Sequence, residues 1–306
     1  MDILSEPLPL SPNGVCLALG MFDGIHLGHQ HVVRQALLDA RALGANSVVA
    51  SFDLHPLTVV RPEKAPRLIQ SLAGRLDEIR RLGADAALVL RFDALFSQRT
   101  GEEFVRSLAG GFGRLRSFTV GQGFHFGHGR SGNVALLRGL GRELGFTVNA
   151  MAPIHIGAEV VSSTRVRAAL REGRLGHVAE LLGRPYSISA RVVEGAQLGR
   201  TLGFPTANLE VDGLELPPVG VYAVRVQVQG QEYPGALNLG FRPTVAFSSP
   251  QMRLEVYLIN FNGDLYGQTI LVEWVKLVRT EKRFSGLPAL RAQIARDVAA
   301  VTTLLC

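Results

Sequence analysis

Residues 15–30, VCLALGMFDGIHLGHQ, decide the fold of the first half of the chain. Val15–Gly20 is a short, uninterrupted apolar run, as a strand buried on both faces is. Glycines at 20, 24 and 28 follow, and then Val33, Ala36, Leu37 and Ala40 recur at helical spacing. Strand, glycine-rich turn and helix in that order open a doubly wound parallel sheet, where ligands bind beyond the carboxyl ends of strands and against the next helix N-terminus. His26 and His29 stand three apart, so one helical turn puts both imidazoles on one face. There they can donate hydrogen bonds to a phosphate that gains charge in a transition state. Exposed loop histidines and metal ligation together with His31 are the alternatives. No carboxylate or cysteine cluster completes a metal set.

Outward from this stretch, short apolar segments alternate with helical ones. Ser47–Asp53, Ala86–Phe92, Ser117–Gly121 and Phe146–Ala150 read as further buried strands, and Leu72, Leu76, Ile79 and Leu82 form a second helical stripe. Ser163 to Glu172 is amphipathic and follows serines able to cap a helix. The texture changes near Gly183–Tyr186. Beyond it, Ser187–Val193, Val221–Val228, Glu232–Gly240, Met252–Ile259 and Gln268–Val278 read as strands separated by Gly, Pro and Asn turns. Leu290, Ile294, Val298 and Val301 line one side of a closing helix from Pro288 to Leu304. The expectation is an α/β domain over 1–183, and a β-rich domain over 184–306 folded as a small barrel or sandwich.

With 306 residues, 47% hydrophobic and 19% charged, the chain is long and apolar enough for two cores and is not a mainly disordered one. Cys16 and Cys306 cannot form a disulfide framework, and the acidic opening MDILSEPLPL is unlike a secretory signal. No apolar run approaches the ~20 residues that span a bilayer. These features imply a cytoplasmic protein with no membrane partner. The formal charge is +6, and all but Lys64, Lys276 and Lys282 of the 32 basic side chains are arginine. They are scattered, without a run of five or six, so no nucleic-acid partner is expected. The oligomeric state is not encoded in any motif.

The segment from Gly20 to His29 resembles the nucleotidylyltransferase signature of the bacterial bifunctional riboflavin kinase/FAD synthetases. The resemblance continues in order through Ser51–Pro56 (SFDLHP), Val120–Gly132 (VGQGFHFGHGRSG) and Val161–Arg167 (VSSTRVR). It implies that His26 and His29 stabilise the transition state on the ATP α-phosphate. Gly20, Phe22, Asp23 and Gly24 would line the ATP site, with Ser163, Thr164 and Arg165 closing on the triphosphate. His55, Pro56, Phe124, Phe126 and Arg130 would belong to the flavin side. The GxGxxG match at Gly127–Gly132 lies inside this substrate loop, and NAD binding is not expected. In two places the sequence departs from the family pattern: Leu54 stands for a proline, and Gly123 for Asp or Asn. They leave a riboflavin kinase with an impaired adenylyltransferase domain as the alternative reading.

Glu194–Asn208, EGAQLGRTLGFPTAN, carries glycines that expose backbone N–H groups suited to phosphate, without the Gly-Lys-Ser/Thr of a Walker loop. Thr206 and Asn208 are neutral oxygen ligands on one face of an extended segment, a set that suits Mg²⁺. The segment resembles the riboflavin kinase signature. Matches follow at Pro218–Tyr222, Asn238–Thr244, Glu255 with Phe261–Gly267, and Arg279–Phe284. The resemblance implies a six-stranded barrel, ATP at Gly195, Gly199, Gly203, Thr206 and Asn208, and Mg²⁺ at Thr206 and Asn208. Arg279 and Phe284 would lie on the flavin side. Glu255 would be the base that deprotonates the riboflavin 5′-hydroxyl, and the products of the two halves would be FMN and FAD.

Overall fold

Every strand pair in the main sheet of the first unit is parallel in the computed structural model, which describes residues 1–195, 198–242 and 251–306. The strands are β1 (Asp2–Leu4), β2 (Val15–Leu19), β3 (Asn46–Phe52), β4 (Ala86–Leu90), β5 (Leu115–Gly121) and β6 (Thr147–Met151). Their order is β1-β4-β3-β2-β5-β6, so the chain winds away from β2 in both directions. This places the topological switch point at the carboxyl end of β2. Helices α1 (Leu27–Leu43), α2 (Leu57–Val60), α3 (Leu72–Leu82), α4 (Gly101–Phe112) and α5 (Val134–Leu144) complete the wrapping.

The period-two alternation of the strands builds two cores. Leu17, Val48, Leu88 and Phe118 face α4 and α5 through Phe104, Leu108 and Leu137. Ala18, Val49 and Ala87 face α1 and α3 through Val33, Ala36 and Ile79. A hairpin, β7 (His155–Ile156) with β8 (Glu159–Val160), precedes α6 (Ser163–Arg171) and α7 (Leu175–Leu182). The first unit comprises Met1–Leu68 and Leu72–Ser163; the second comprises Ile69–Ser71 and Thr164–Cys306.

The second unit is a closed antiparallel barrel. Its strands, β9 (Ser187–Val193), β10 (Ala207–Leu209), β11 (Gly220–Val228), β12 (Gln231–Arg242), β13 (Gln251–Leu258) and β14 (Thr269–Thr280), run in the order β10-β13-β12-β11-β14-β9. A four-residue turn of helix, α8 (Leu198–Thr201), precedes β10, and α9 (Leu287–Leu305) closes the unit. Val301 of α9 packs with Ala223 and Ile259 on the outer barrel surface. Trp274 is buried against Tyr186, with ring centroids 5.1 Å apart. The α/β half and the six-stranded barrel with its closing helix are the architecture expected. Strands β1 and β10, the β7–β8 hairpin, helices α4, α5 and α7 and the short turns α2 and α8 were not foreseen. Ala196 and Gln197 of the kinase-like signature, and Pro243 and Thr244 of the Asn238–Thr244 match, lie outside the described residues.

Candidate active sites

The turn after β2 is tightly shaped. Phe22 and Ile25 take positive φ values of 50° and 40°, and Gly24 one of 83°. Such angles cost most residues energy and persist where the surroundings over-determine them, commonly at functional sites. The turn delivers His26 to the N-cap of α1, where its Nδ1 accepts a hydrogen bond from the His29 N–H at 3.3 Å. The two imidazoles stack with centroids 3.6 Å apart and planes 19° apart, and the Phe22 ring meets His29 edge-on at 5.4 Å. Asp23 is buried, and its carbonyl accepts a hydrogen bond from Ser163 Oγ at 3.0 Å. The fold thus joins Ser163 to the turn across 140 residues of sequence. Thr164 and Arg165 continue α6 within the second unit, where Arg165 Nη2 lies 3.3 Å from His177 Nε2.

On the neighbouring strand end, Asp53 Oδ1 accepts hydrogen bonds from the N–H groups of Leu54 and Phe92, each at 2.8 Å. His55 Nδ1 accepts from the Leu57 N–H, and Pro56 opens α2. Phe124 stacks on Phe126 at 5.5 Å, and Phe126 is itself buried in the core against Phe104. Phe126 therefore anchors the loop, Phe124 is half-buried on it, and Arg130 is exposed with φ 61°. Gly123 has open space where a side chain would begin, with no atom within 4 Å of an added Cβ. Its departure from the family pattern thus follows no steric demand.

In the second unit, strand register assembles the polar residues. Asn208 pairs with Glu255, Glu255 with Asn238, Asn238 with Val221, and Val221 with Arg279. Cross-strand partners share a sheet face, so one row crosses the barrel from β10 to β14. Leu254 and Val256, on either side of Glu255, are buried inside the barrel, which leaves Glu255 on the outer surface. Burial pushes the Glu255 carboxyl above the usual carboxylate range, while the guanidinium of Arg253 opposes the shift through an ion pair at 2.5 Å. Arg253 Nε also points at Asn208 Oδ1, 3.4 Å away. Arg279 is not left for a ligand alone. Its guanidinium holds Asp297 of α9 by contacts of 2.8–3.0 Å and lies 5.7 Å from the Phe284 ring centre.

The glycines of the signature are required by close approach. A Cβ at Gly195 would fall on the Asn208 side chain, and one at Gly199 would strike the Phe204 carbonyl and stand 3.0 Å from Thr206 Oγ1. Gly203, at φ 86°, makes the turn between them. Two cavities open beside this segment. One of about 290 Å³ is lined by Thr206, Asn238, Arg253, Glu255, Arg279 and Phe284, and by Leu290, Ile294 and Asp297 of α9. The other, of about 510 Å³, is lined by Arg200, Thr206, Phe261, Asn262 and Tyr266. Thr206 belongs to both walls.

Asn238, Arg253 and Asp297 were not among the expected site residues. Arg253 lies two residues from Glu255 on the same strand face, and Asp297 interrupts the apolar stripe of α9 between Ile294 and Val301. Those offsets were the available signals. The oxygen set of Thr206 and Asn208, with the amide cradled by Gly195, fits a hard divalent cation.

A histidine pair at a switch-point helix, and a separate barrel bearing a carboxylate beside closely packed glycines, define a two-site transferase. Residues 9–165 match the FAD synthetase family model, and residues 182–305 match the riboflavin kinase model. The bifunctional riboflavin kinase/FMN adenylyltransferase of Escherichia coli (strain K12) is 40% identical over 285 residues, covering 93% of this chain and 90% of that protein. The namesake protein of Pseudomonas fluorescens is 39% identical, with 95% and 93% covered. A crystal structure of a macrolide-efflux protein from Streptococcus pneumoniae, 30% identical, covers 95% of both chains with a TM-score of 0.79. The chain belongs to the bifunctional riboflavin kinase/FMN adenylyltransferase family. It is an enzyme that phosphorylates riboflavin to FMN and adenylylates FMN to FAD, with ATP as co-substrate of both steps. Both models match in order, so the kinase-only alternative raised by Leu54 and Gly123 has no support. Among the described residues no helix is long and apolar enough to cross a membrane.

Proposed function

We propose that each unit carries one activity and that the residues named above perform it. In the barrel, ATP occupies the larger cavity and riboflavin the smaller, with Thr206 at the wall they share. That shared wall is the observation that carries the assignment. Glu255 takes the proton of the riboflavin 5′-hydroxyl; the oxygen attacks the γ-phosphorus, and the bond to the β-phosphate oxygen breaks to release ADP. Thr206 and Asn208 would hold Mg²⁺, which neutralises phosphate charge when bound. The raised proton affinity of Glu255 suits a base, since an ordinary carboxylate takes up an alcohol proton poorly.

In the first unit, a phosphate oxygen of FMN attacks the ATP α-phosphorus and pyrophosphate leaves. His26 and His29 donate hydrogen bonds to the oxygens that gain charge, with the N-terminus of α1 aimed at the same place. Gly20, Phe22, Asp23 and Gly24 shape the nucleotide side, Ser163 binds the triphosphate, and His55, Pro56, Phe124, Phe126 and Arg130 form the flavin side. The free thiols, Cys16 buried and Cys306 exposed, accord with a reducing cytoplasm.

The test is a chromatographic time course of riboflavin, FMN and FAD with ATP and Mg²⁺. His29→Ala is expected to accumulate FMN without FAD. Asn208→Ala is expected to make no FMN yet to convert supplied FMN to FAD. Equal loss of both products in either variant refutes the division of labour.

A further inference from the structure

Arg75, on α3 of the first unit, is completely buried at 0% exposure, yet among the described residues no carboxylate forms an ion pair with it. A guanidinium withdrawn from water is costly unless its donors are satisfied and its charge is answered. Here only Nη1 is engaged. It donates to the Met21 carbonyl at 2.8 Å, to Ser51 Oγ at 2.8 Å and to the Phe52 carbonyl at 3.0 Å, while Nε and Nη2 have no hydrogen-bond partner. The negative charges that act on it are those of Asp23 and Asp53, through space.

These three oxygens, and the Met21 sulfur 3.7 Å from the same nitrogen, lie at the carboxyl ends of β2 and β3. Met21 begins the turn that carries Asp23 and His26; Ser51 and Phe52 begin the segment that carries His55 and Pro56. Ser51 Oγ in turn donates to the Met21 carbonyl at 2.9 Å, so both strand ends are fastened through one nitrogen of Arg75. The remainder of the guanidinium contributes positive charge that nothing nearby neutralises by contact. Its place is directly behind the end of the sheet where a polyphosphate binds in a doubly wound fold. A fixed charge in a low-dielectric setting acts on such a ligand more strongly than a solvated arginine on the surface would.

We infer that Arg75 is a positioning residue for adenylyl transfer: it sets the spacing between the histidine-bearing turn and the flavin-side segment, and its unpaired charge strengthens binding of the ATP triphosphate from behind. The inference rests on the adenylyltransferase reading of Gly20–His29.

Arg75→Lys keeps the charge and one donor; Arg75→Met keeps the apolar stem alone. Adenylylation of supplied FMN is measured on the full chain over a range of ATP concentrations, with riboflavin phosphorylation as the internal control. Arg75→Met is expected to raise the KM for ATP tenfold or more and to lower kcat severalfold. Arg75→Lys is expected to hold that KM within threefold of wild type while recovering only part of kcat. FMN formation stays within twofold in both. A KM for ATP within twofold of wild type in Arg75→Met overturns the inference, as does a tenfold rise in both variants, because an arginine serving only as a structural clip would lose function equally with lysine. Should Arg75→Met lose the fold of the first unit, the Arg75→Lys KM decides by the same threefold and tenfold limits. His29→Ala is assayed alongside: unimpaired FAD formation in that variant refutes the site reading itself, whereas its loss with an indifferent Arg75→Met refutes only the role of Arg75.

Discussion

Asp297→Ala tests the energetic coupling of the closing helix to the barrel. Asp297 accepts Arg279 Nε at 3.0 Å through each carboxylate oxygen, Arg279 Nη2 at 2.8 Å, and Gln293 Nε2 at 2.8 Å. Its side chain is 6% exposed, against 22% for Arg279. Removing one member of a fully buried pair costs about 3–5 kcal/mol, because the other charge is stranded. Water reaches Arg279 in part, so about 2–3 kcal/mol is expected here after discounting for that screening. At roughly 2–4 °C per kcal/mol for a domain of this size, the second unit should melt about 5–10 °C lower. The single tryptophan, Trp274, is 2% exposed within the same unit, so its fluorescence reports that transition. Asp297→Asn, which keeps an acceptor but not the charge, should lose about half as much. Riboflavin phosphorylation should fall in Asp297→Ala, since Arg279 and Asp297 both line the smaller cavity, while conversion of supplied FMN to FAD persists. A midpoint within 2 °C of wild type for Asp297→Ala, marked as about half a kcal/mol by the same conversion, would refute the reasoning.

Three further expectations follow from the sites. Glu255 has its pKa raised by burial, so its proton is lost only above the ordinary carboxylate range. The stability it contributes is full below the unfolded-state value and is lost as pH rises through the folded one, whereas the kinase step needs the ionised form and slows as pH falls through it. Arg253→Gln should move that acid limb of kcat for FMN formation to higher pH, and an unmoved limb would show that the ion pair does not tune the base. Gly195→Ala places a methyl group on the Asn208 side chain and should lower kcat/KM for riboflavin phosphorylation tenfold or more, with a higher Mg²⁺ requirement. If its Mg²⁺ dependence matches wild type, Asn208 is not a metal ligand. Gly123→Asp meets no neighbour and should leave the melting curve unchanged while lowering the KM for FMN in adenylylation; an unchanged KM would place residue 123 outside the flavin site.

The sequence made the central elements legible where one physical signal dominated. β2 and β3 are buried along almost their whole length, so their apolar runs have no competing explanation. β10 is three residues long and sits inside a Gly/Pro-rich segment, and only its pairing with β9 and β13 makes it a strand. Local pattern carries no trace of that pairing. Helix α4 is a different case: Thr100 and Glu103 form a capping box visible in the sequence, and Asn133 caps α5 in a comparable way. In the site, helical spacing put His26 and His29 on one face, whereas strand alternation only turned Glu255 away from its apolar neighbours and the family resemblance singled it out. The neighbours of Glu255 could not be read in this way, because Asn208 and Asn238 reach it through register between strands far apart in the chain.

Arginine content shows the same division between what composition can say and what burial decides. A preference for arginine over lysine explains the number of such residues but ranks none of them. The pairs Arg80–Asp77 and Arg106–Glu102 lie on exposed helix faces, with side chains 40–52% accessible, where water screens the attraction. Arg75 is fully withdrawn from water, Arg279 and Arg253 in large part, and each is held against groups of a proposed site: strand ends beneath the histidine turn, the acid of the closing helix, and the carboxylate of Glu255. Desolvation is what makes a charge consequential, for stability when its partner is removed and for chemistry when a phosphate approaches. The arginines whose loss should be felt are therefore those the fold hides, and neither their number nor their spacing in the chain distinguishes them from the rest.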